Sequence, residues 1–173
     1  KSKGELTKAH ILEYVDEIKL AEEELIEQAI YDFCNEEKLV VEGAAAASLV
    51  QIMKEPEAFK DKKVCLIICG GNIDQSLLTT VLTRGMMNNY LYTTLRFESD
   101  DRPGFLNSIS SFLSDENINI VEVKHNRLFK TLPIKKAHID ITLETRGKTH
   151  AQELLSLFSG KGFKVKVINS GLW

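Results

Sequence analysis

The stretch from Leu91 to Ile168 switches between two hydrophobic periodicities, and the order of the switches constrains the fold more than any other feature of the sequence. Apolar residues occupy every second position in LYTTLRFESD and AHIDITLE, as half-buried strands require. They recur at helical spacing in FLNSISSFL and AQELLSLF. With INIVEVKHNRLF and FKVKVI as two further strands, the predicted order is β-α-β-β-α-β.

This order predicts a ferredoxin-like α/β domain, in which an antiparallel sheet carries two helices on one face. The change of pattern falls between residues 87 and 91. We therefore expect residues 89–173 to form one domain and residues 1–88 to belong to another.

The first half contains one strong strand candidate, at residues 64–68, where every position is apolar. Such a run predicts a parallel strand covered on both faces. Only two weak strand candidates accompany it, at residues 18–21 and 39–41. Either another chain supplies the missing strands, or residues 1–88 are the end of a larger α/β domain. The non-methionine first residue, Lys1, favours the second interpretation.

Two corners of the chain are candidate binding sites. Cys69-Gly70-Gly71-Asn72 follows the apolar run and precedes a helical pattern, as ligand-binding corners of open α/β sheets do, although a tight structural turn would have the same sequence. The loop 101–104, Asp-Arg-Pro-Gly, precedes a helix whose N-terminal amides suit a carboxylate. Its alternative is a Pro-Gly turn without a ligand.

Composition excludes several classes of function. The formal net charge of -3 argues against nucleic-acid binding. No apolar run reaches the roughly 20 residues that would cross a membrane. The three cysteines have no metal-ligand spacing, so we expect no metal site, no disulfide framework and a reducing, cytoplasmic setting. The four histidines are scattered on predicted surfaces, and no Walker, GxGxxG or HExxH motif occurs.

The chain resembles the C-terminal part of threonine ammonia-lyases (threonine dehydratases) that carry a single regulatory ACT domain. The stretches that match, in the family's order and over essentially the whole chain, are GELT, YVDEI, EEELIEQAI, KLVVEGAAAASL, VCLIICGGNID, TRGM, DDRPGFL, NINIVEVKHNRLF and AHIDITLETRG. The resemblance implies a fold-type-II pyridoxal phosphate enzyme of amino-acid metabolism and isoleucine biosynthesis. Its reaction would convert L-threonine to 2-oxobutanoate and ammonia. Serine, converted to pyruvate, would be a second substrate.

The resemblance also implies the cofactor-binding residues. Cys69 stands where the family usually has serine and sometimes cysteine, facing the pyridine nitrogen, and Gly70, Gly71 and Asn72 shape the corner. Ala45 departs from the family's usual glycine. The family's Schiff-base lysine motif and phosphate cradle find no match, so no residue here is assigned as catalytic. We expect this chain alone to lack lyase activity and not to bind pyridoxal 5'-phosphate productively.

ACT domains resemble one another in holding a small amino acid between two copies. The resemblance places the effector against Asp101, Gly104, Phe105 and Leu106 of one copy, with Asn119 and Ile120 facing them across the interface. Isoleucine or valine is the expected effector. Because exposed sheet edges also tend to pair, we expect at least a homodimer.

Two rival interpretations remain at this stage. One is a stand-alone amino-acid sensor of the ACT type, with residues 1–88 as a helical oligomerisation arm. The other is a sibling lyase, such as a serine dehydratase or racemase relative, which the single ACT tail makes less suitable.

Overall fold

The computed structural model of the protein describes residues 4–100, 102–126 and 136–168. The chain divides into two compact units, Lys1–Val81 and Leu82–Trp173. Helix α5 (Gln75–Asn88) starts in the first unit and ends in the second.

The first unit is built from helices. Its helices are α1 (Glu5–Tyr14), α2 (Glu23–Asn35), α3 (Gly43–Lys54) and the single turn α4 (Pro56–Phe59). Its best-packed part lies between α2 and α3, since each contributes a stripe of buried residues. Small side chains make up much of this contact, namely Ala29, Ala45 and Ala46, which are fully buried. In contrast, α1 has no buried residue.

The predicted strand at residues 64–68 is wrong for this chain. The structure has no strand there, nor at residues 18–21 or 39–41. Since a strand is defined by hydrogen bonds to a neighbour, the segment stays irregular when no ladder partner lies within the described residues. Its apolar side chains are consequently open to solvent, and Ile67 is 75% exposed.

The second unit has the predicted β-α-β-β-α-β order. The elements are β1 (Tyr92–Asp100), α6 (Phe105–Asp115), β2 (Ile120–Asn126), β3 (Lys136–Glu144), α7 (Lys148–Gly160) and β4 (Lys164–Val167). The strands form one sheet in the order β2-β3-β1-β4, and each neighbouring pair is antiparallel. The ferredoxin-like arrangement is confirmed.

The core of the second unit lies between the sheet and its two helices. The alternation read from the sequence places Leu95 and Phe97 of β1 beside Ile139 and Ile141 of β3, and all four are buried. Helices α6 and α7 close this surface with fully buried residues, among them Leu113 and Phe158. Phe158 has rings on three sides, with centroid distances of 4.8 Å to Phe97, 4.6 Å to Phe112 and 5.5 Å to Phe163.

The other face of the sheet is polar, and one ion pair dominates it. Arg96 of β1 donates from Nε and Nη2 to the two carboxylate oxygens of Asp140 on β3, both at 2.7 Å. Asp140 is only 7% exposed, and the bidentate hydrogen bonds from Arg96 compensate this buried carboxylate. Beside it, Lys166 donates to Glu98 at 3.0 Å and lowers the pKa of that more exposed carboxyl.

The connection that enters β1 is fastened to the loop that leaves β3. Thr145, which is buried, donates its backbone N–H to the carbonyl of Leu91 at 2.8 Å and its hydroxyl to the carbonyl of Tyr90 at 2.6 Å. Its hydroxyl also lies 2.8 Å from that of Thr93. Gly147 donates to the same Tyr90 carbonyl at 3.0 Å. These hydrogen bonds hold the start of the loop that follows β3.

Candidate functional site

The Cys69–Asn72 corner lies against the segment that precedes α3. Glu42 donates its backbone N–H to the carbonyl of Gly70 at 3.1 Å. A Cβ atom added at Gly70 would meet the Glu42 carboxylate, with Cδ at 2.7 Å, and one at Gly71 would lie 2.9 Å from the carbonyl oxygen of Val40. Close approach of the chain to itself therefore requires glycine at position 71, and at position 70 a side chain fits only if that of Glu42 moves. Neither contact involves a ligand.

Cys69 itself is a free, exposed thiol at this corner. Asn72 is exposed as well. The structure thus leaves the side chains of the predicted cofactor residues facing outward, while the two glycines are committed to internal contacts. The contact between Glu42 and Gly70 could not be predicted from the sequence, because the two residues are 28 positions apart and no local pattern links them.

Gly71→Ala should lower the stability of the first unit more than Gly70→Ala does. The Val40 carbonyl is backbone and cannot turn aside, whereas the half-exposed Glu42 side chain can rotate toward solvent. We expect Gly71→Ala to lower the stability of this unit by about 1 to 2 kcal/mol. Hydrogen exchange of the α3 amides should then quicken by about 5- to 30-fold.

Gly70→Ala is the matched control and should change α3 exchange much less. Adding Glu42→Ala to Gly70→Ala should remove even that effect, because the clashing side chain is gone. Equal acceleration in the two glycine variants would contradict the distinction between backbone and side-chain contact.

The second candidate site begins where β1 passes into α6. Gly104 is the N-cap of α6 and has φ of +88°, a left-handed conformation that only glycine adopts without strain. Because the cap residue has no side chain, it supplies no acceptor for the first-turn amides. Amides at such a helix start suit an anion. Asp101, also predicted here, lies outside the described residues.

The two apolar residues after Gly104 have different surroundings. Phe105 packs against the core, with its ring centroid 6.0 Å from that of Phe163. Leu106 is 37% exposed at the helix start. Leu106 is therefore better placed than Phe105 to contact a ligand at this loop.

Asn119 and Ile120 lie at the opposite end of the same sheet. Ile120 pairs with Leu143, which pairs with Thr93, whereas the 101–106 loop follows Asp100. From Thr93 to Asp100 the strand advances about 23 Å at its usual rise per residue. One copy of the chain therefore cannot bring the two predicted halves of the site together.

The Asn119 end of the sheet carries a cavity of about 490 Å³. Residues 116–119, residues 144–146 and His150 line it. Asn119 and Glu144 are joined there by two hydrogen bonds, from Asn119 Nδ2 to Glu144 Oε2 at 2.9 Å and from the Glu144 N–H to the Asn119 carbonyl at 3.0 Å. The role of Glu144 could not be predicted from the sequence. Its partner Asn119 is 25 positions away and directly precedes a different strand, β2.

Other kinds of site find little support in the part of the chain that the structure describes. No three of its histidines, cysteines and carboxylates come together as metal ligands would. None of its helices combines the length and apolar character of a membrane span.

Comparisons with known proteins point to one enzyme family. The ACT domain family model matches residues 93–160. L-threonine ammonia-lyase of Geobacter sulfurreducens is 37% identical over 91% of this chain and 39% of its own length. L-threonine ammonia-lyase of Thermotoga maritima is 32% identical over 97% of this chain and 42% of its own length. L-threonine dehydratase catabolic TdcB of Staphylococcus aureus is 33% identical over 48% of this chain and 25% of its own length.

The chain thus spans about two fifths of the length of the two relatives that match most of it. The expected resemblance is confirmed, and the ACT domain match at residues 93–160 runs from β1 to the end of α7.

Proposed function

Since this chain carries an ACT domain and is related to L-threonine ammonia-lyases along nearly all of its length, we propose that it is the amino-acid-sensing part of such an enzyme. The whole protein would convert L-threonine to 2-oxobutanoate and ammonia, with serine as a possible second substrate. The effector would be a small branched amino acid, isoleucine or valine. The whole enzyme would work in the cytoplasm, in isoleucine biosynthesis.

The observation that carries the proposal is the open N-terminus of α6 after Gly104. An amino acid has a carboxylate, and the first-turn amides there are oriented donors with the positive end of the helix dipole behind them. The exposed Leu106 next to them would contact an aliphatic side chain. Anion recognition and apolar contact are thus adjacent on one short segment.

The effector site is proposed to form between two copies of the chain. Asn119 and Ile120 lie too far from the loop of their own copy, but a two-fold axis would bring them to the loop of the other. Strand β2 is at the edge of the sheet and has exposed apolar side chains, including Ile120 and Val123. An edge of this kind is suited to pairing with its own copy.

The chemistry of the Cys69–Asn72 corner supports a role as one side of a pyridoxal 5'-phosphate site. The cofactor, when bound, supplies the electron sink for removal of the β-hydroxyl group. Cys69 would present a neutral thiol to its ring nitrogen, and the backbone at Gly70 and Gly71 would be held in place by Glu42 and Val40. In the whole enzyme, the exposed residues 64–68 would be covered by the rest of the catalytic domain.

Calorimetric titration of this chain with isoleucine, valine, leucine, threonine and alanine tests the proposal. We expect saturable binding of isoleucine or valine, and sedimentation showing a dimer or larger assembly. We expect neither turnover of threonine nor productive binding of pyridoxal 5'-phosphate by this chain alone. A monomer that gives no heat with any of these amino acids would contradict the proposed function.

A further inference from the structure

The cavity at residues 116–119, 144–146 and His150 has the size of a small-molecule site. Its volume of about 490 Å³ lies within the usual range for ligand pockets. Asn119 and Glu144 both line it, and they are the two residues joined by the pair of hydrogen bonds. What the cavity can recognise therefore depends on how this pair is oriented.

Glu144 determines which end of the Asn119 amide is left for a ligand. An ionised carboxylate can only accept hydrogen bonds, so the contact from Asn119 Nδ2 to Glu144 Oε2 requires the NH₂ group on that side. The amide oxygen then faces away from Glu144. A carbonyl oxygen accepts hydrogen bonds and suits the ammonium group of an amino acid.

The backbone behind Glu144 is fixed, so this orientation is prepared before any ligand arrives. Thr145 anchors the chain to Tyr90 and Leu91 through its hydroxyl and its N–H. The Glu144 N–H is itself bonded to the Asn119 carbonyl. Such preorganisation lowers the entropic cost of binding.

Two other residues of the cavity are donors. His150 Nδ1 accepts the backbone N–H of Arg146 at 3.1 Å, so in the neutral ring the proton is on Nε2 and that atom is a donor. Arg146, a second residue with a donor side chain, also lines the cavity. The residues that line the cavity thus include both an acceptor and donors.

We propose that Glu144 is a positioning residue that aims the Asn119 amide oxygen at the ammonium group of the effector, making the site selective for amino acids over their deaminated analogues. This rests on the proposed function, because it concerns the same effector. Glu144 acts through Asn119 and need not touch the effector itself.

Titrations of the full chain with L-isoleucine and with 3-methylpentanoate, its analogue without the amino group, test this inference. The wild type should bind isoleucine more tightly by about tenfold or more. Glu144→Ala should lower the affinity for isoleucine by about that factor and leave the affinity for 3-methylpentanoate nearly unchanged. The preference for the amino acid then disappears. Glu153→Ala removes an exposed acid from α7 and should change neither affinity.

Glu144→Gln separates orientation from charge. Its amide oxygen can still accept from Asn119, so we expect it to keep most of the preference for isoleucine. If Glu144→Gln loses the preference as fully as Glu144→Ala does, the carboxylate acts by direct attraction and the inference is wrong. It is also wrong if Glu144→Ala weakens both ligands equally, or neither. Failure of the wild type to bind any amino acid would instead overturn the proposed function.

Discussion

Replacing Phe158 with alanine should lower the free energy of unfolding of the second unit by about 4 kcal/mol. Phe158 is fully buried and contacts the rings of Phe97, Phe112 and Phe163 from one position on α7. Its loss removes apolar burial, three edge-to-face contacts and much of the packing between α7 and β1, and it leaves a cavity that the rigid sheet cannot close. Urea unfolding followed by circular dichroism measures the change.

The neighbouring residue provides the control for this variant. Leu157 is 44% exposed, so Leu157→Ala should cost about 1 kcal/mol or less. If Leu157→Ala were as damaging as Phe158→Ala, the helix face that packs on the sheet would be wrongly identified.

Replacing Arg96 with methionine should cost the second unit about 3 kcal/mol. The variant leaves the carboxylate of Asp140, which is 7% exposed, without the partner that donates to both of its oxygens. The carboxylate is then buried without a compensating charge, which is the costly part of breaking such a pair. Urea unfolding midpoints of the variant and the wild type at neutral pH measure this loss.

Two further variants show whether burial is the cause. Lys166→Met breaks the more exposed pair with Glu98 and should change stability by about 0.5 kcal/mol or less. Arg96→Met combined with Asp140→Leu should recover most of the loss, because no buried charge remains. No recovery in the double variant would mean that Arg96 stabilises the sheet by packing and not by pairing.

The fold of the second unit could be predicted because its signal is local and repeated. In AHIDITLE each residue's neighbours in the sequence already distinguish the core face from the polar face, and the structure confirms that Ala137, Ile139, Ile141 and Leu143 are buried. The turn at Gly104 could likewise be predicted, because Pro-Gly before a helical pattern is typical of a turn that leads into a helix.

The first unit shows where such reasoning fails. An apolar run such as residues 64–68 says that the segment would be buried in a complete sheet, but it does not say whether the partners are present. Strand formation depends on hydrogen bonds to another strand, and the described residues of the first unit contain none. The prediction of a buried strand at residues 64–68 was therefore wrong for this chain.

The candidate sites were predictable only in part. Cys69 and Gly104 stand in motifs whose spacing can be read along the chain. The contacts that explain how these sites are held, Glu42 with Gly70 and Asn119 with Glu144, join residues far apart in sequence. No periodicity specifies such contacts, because they depend on the final packing of turns.

We propose that two copies of the chain form the effector site, with the loop after β1 from one copy and Asn119 from the other. Mixing two defective variants, Leu106→Asp and Asn119→Ala, tests it directly by calorimetry with isoleucine. Each variant alone should bind isoleucine poorly, and the mixture, after exchange of subunits, should recover near wild-type affinity at about one site per four chains. A mixture that binds no better than its separate components would show that the site does not lie between copies.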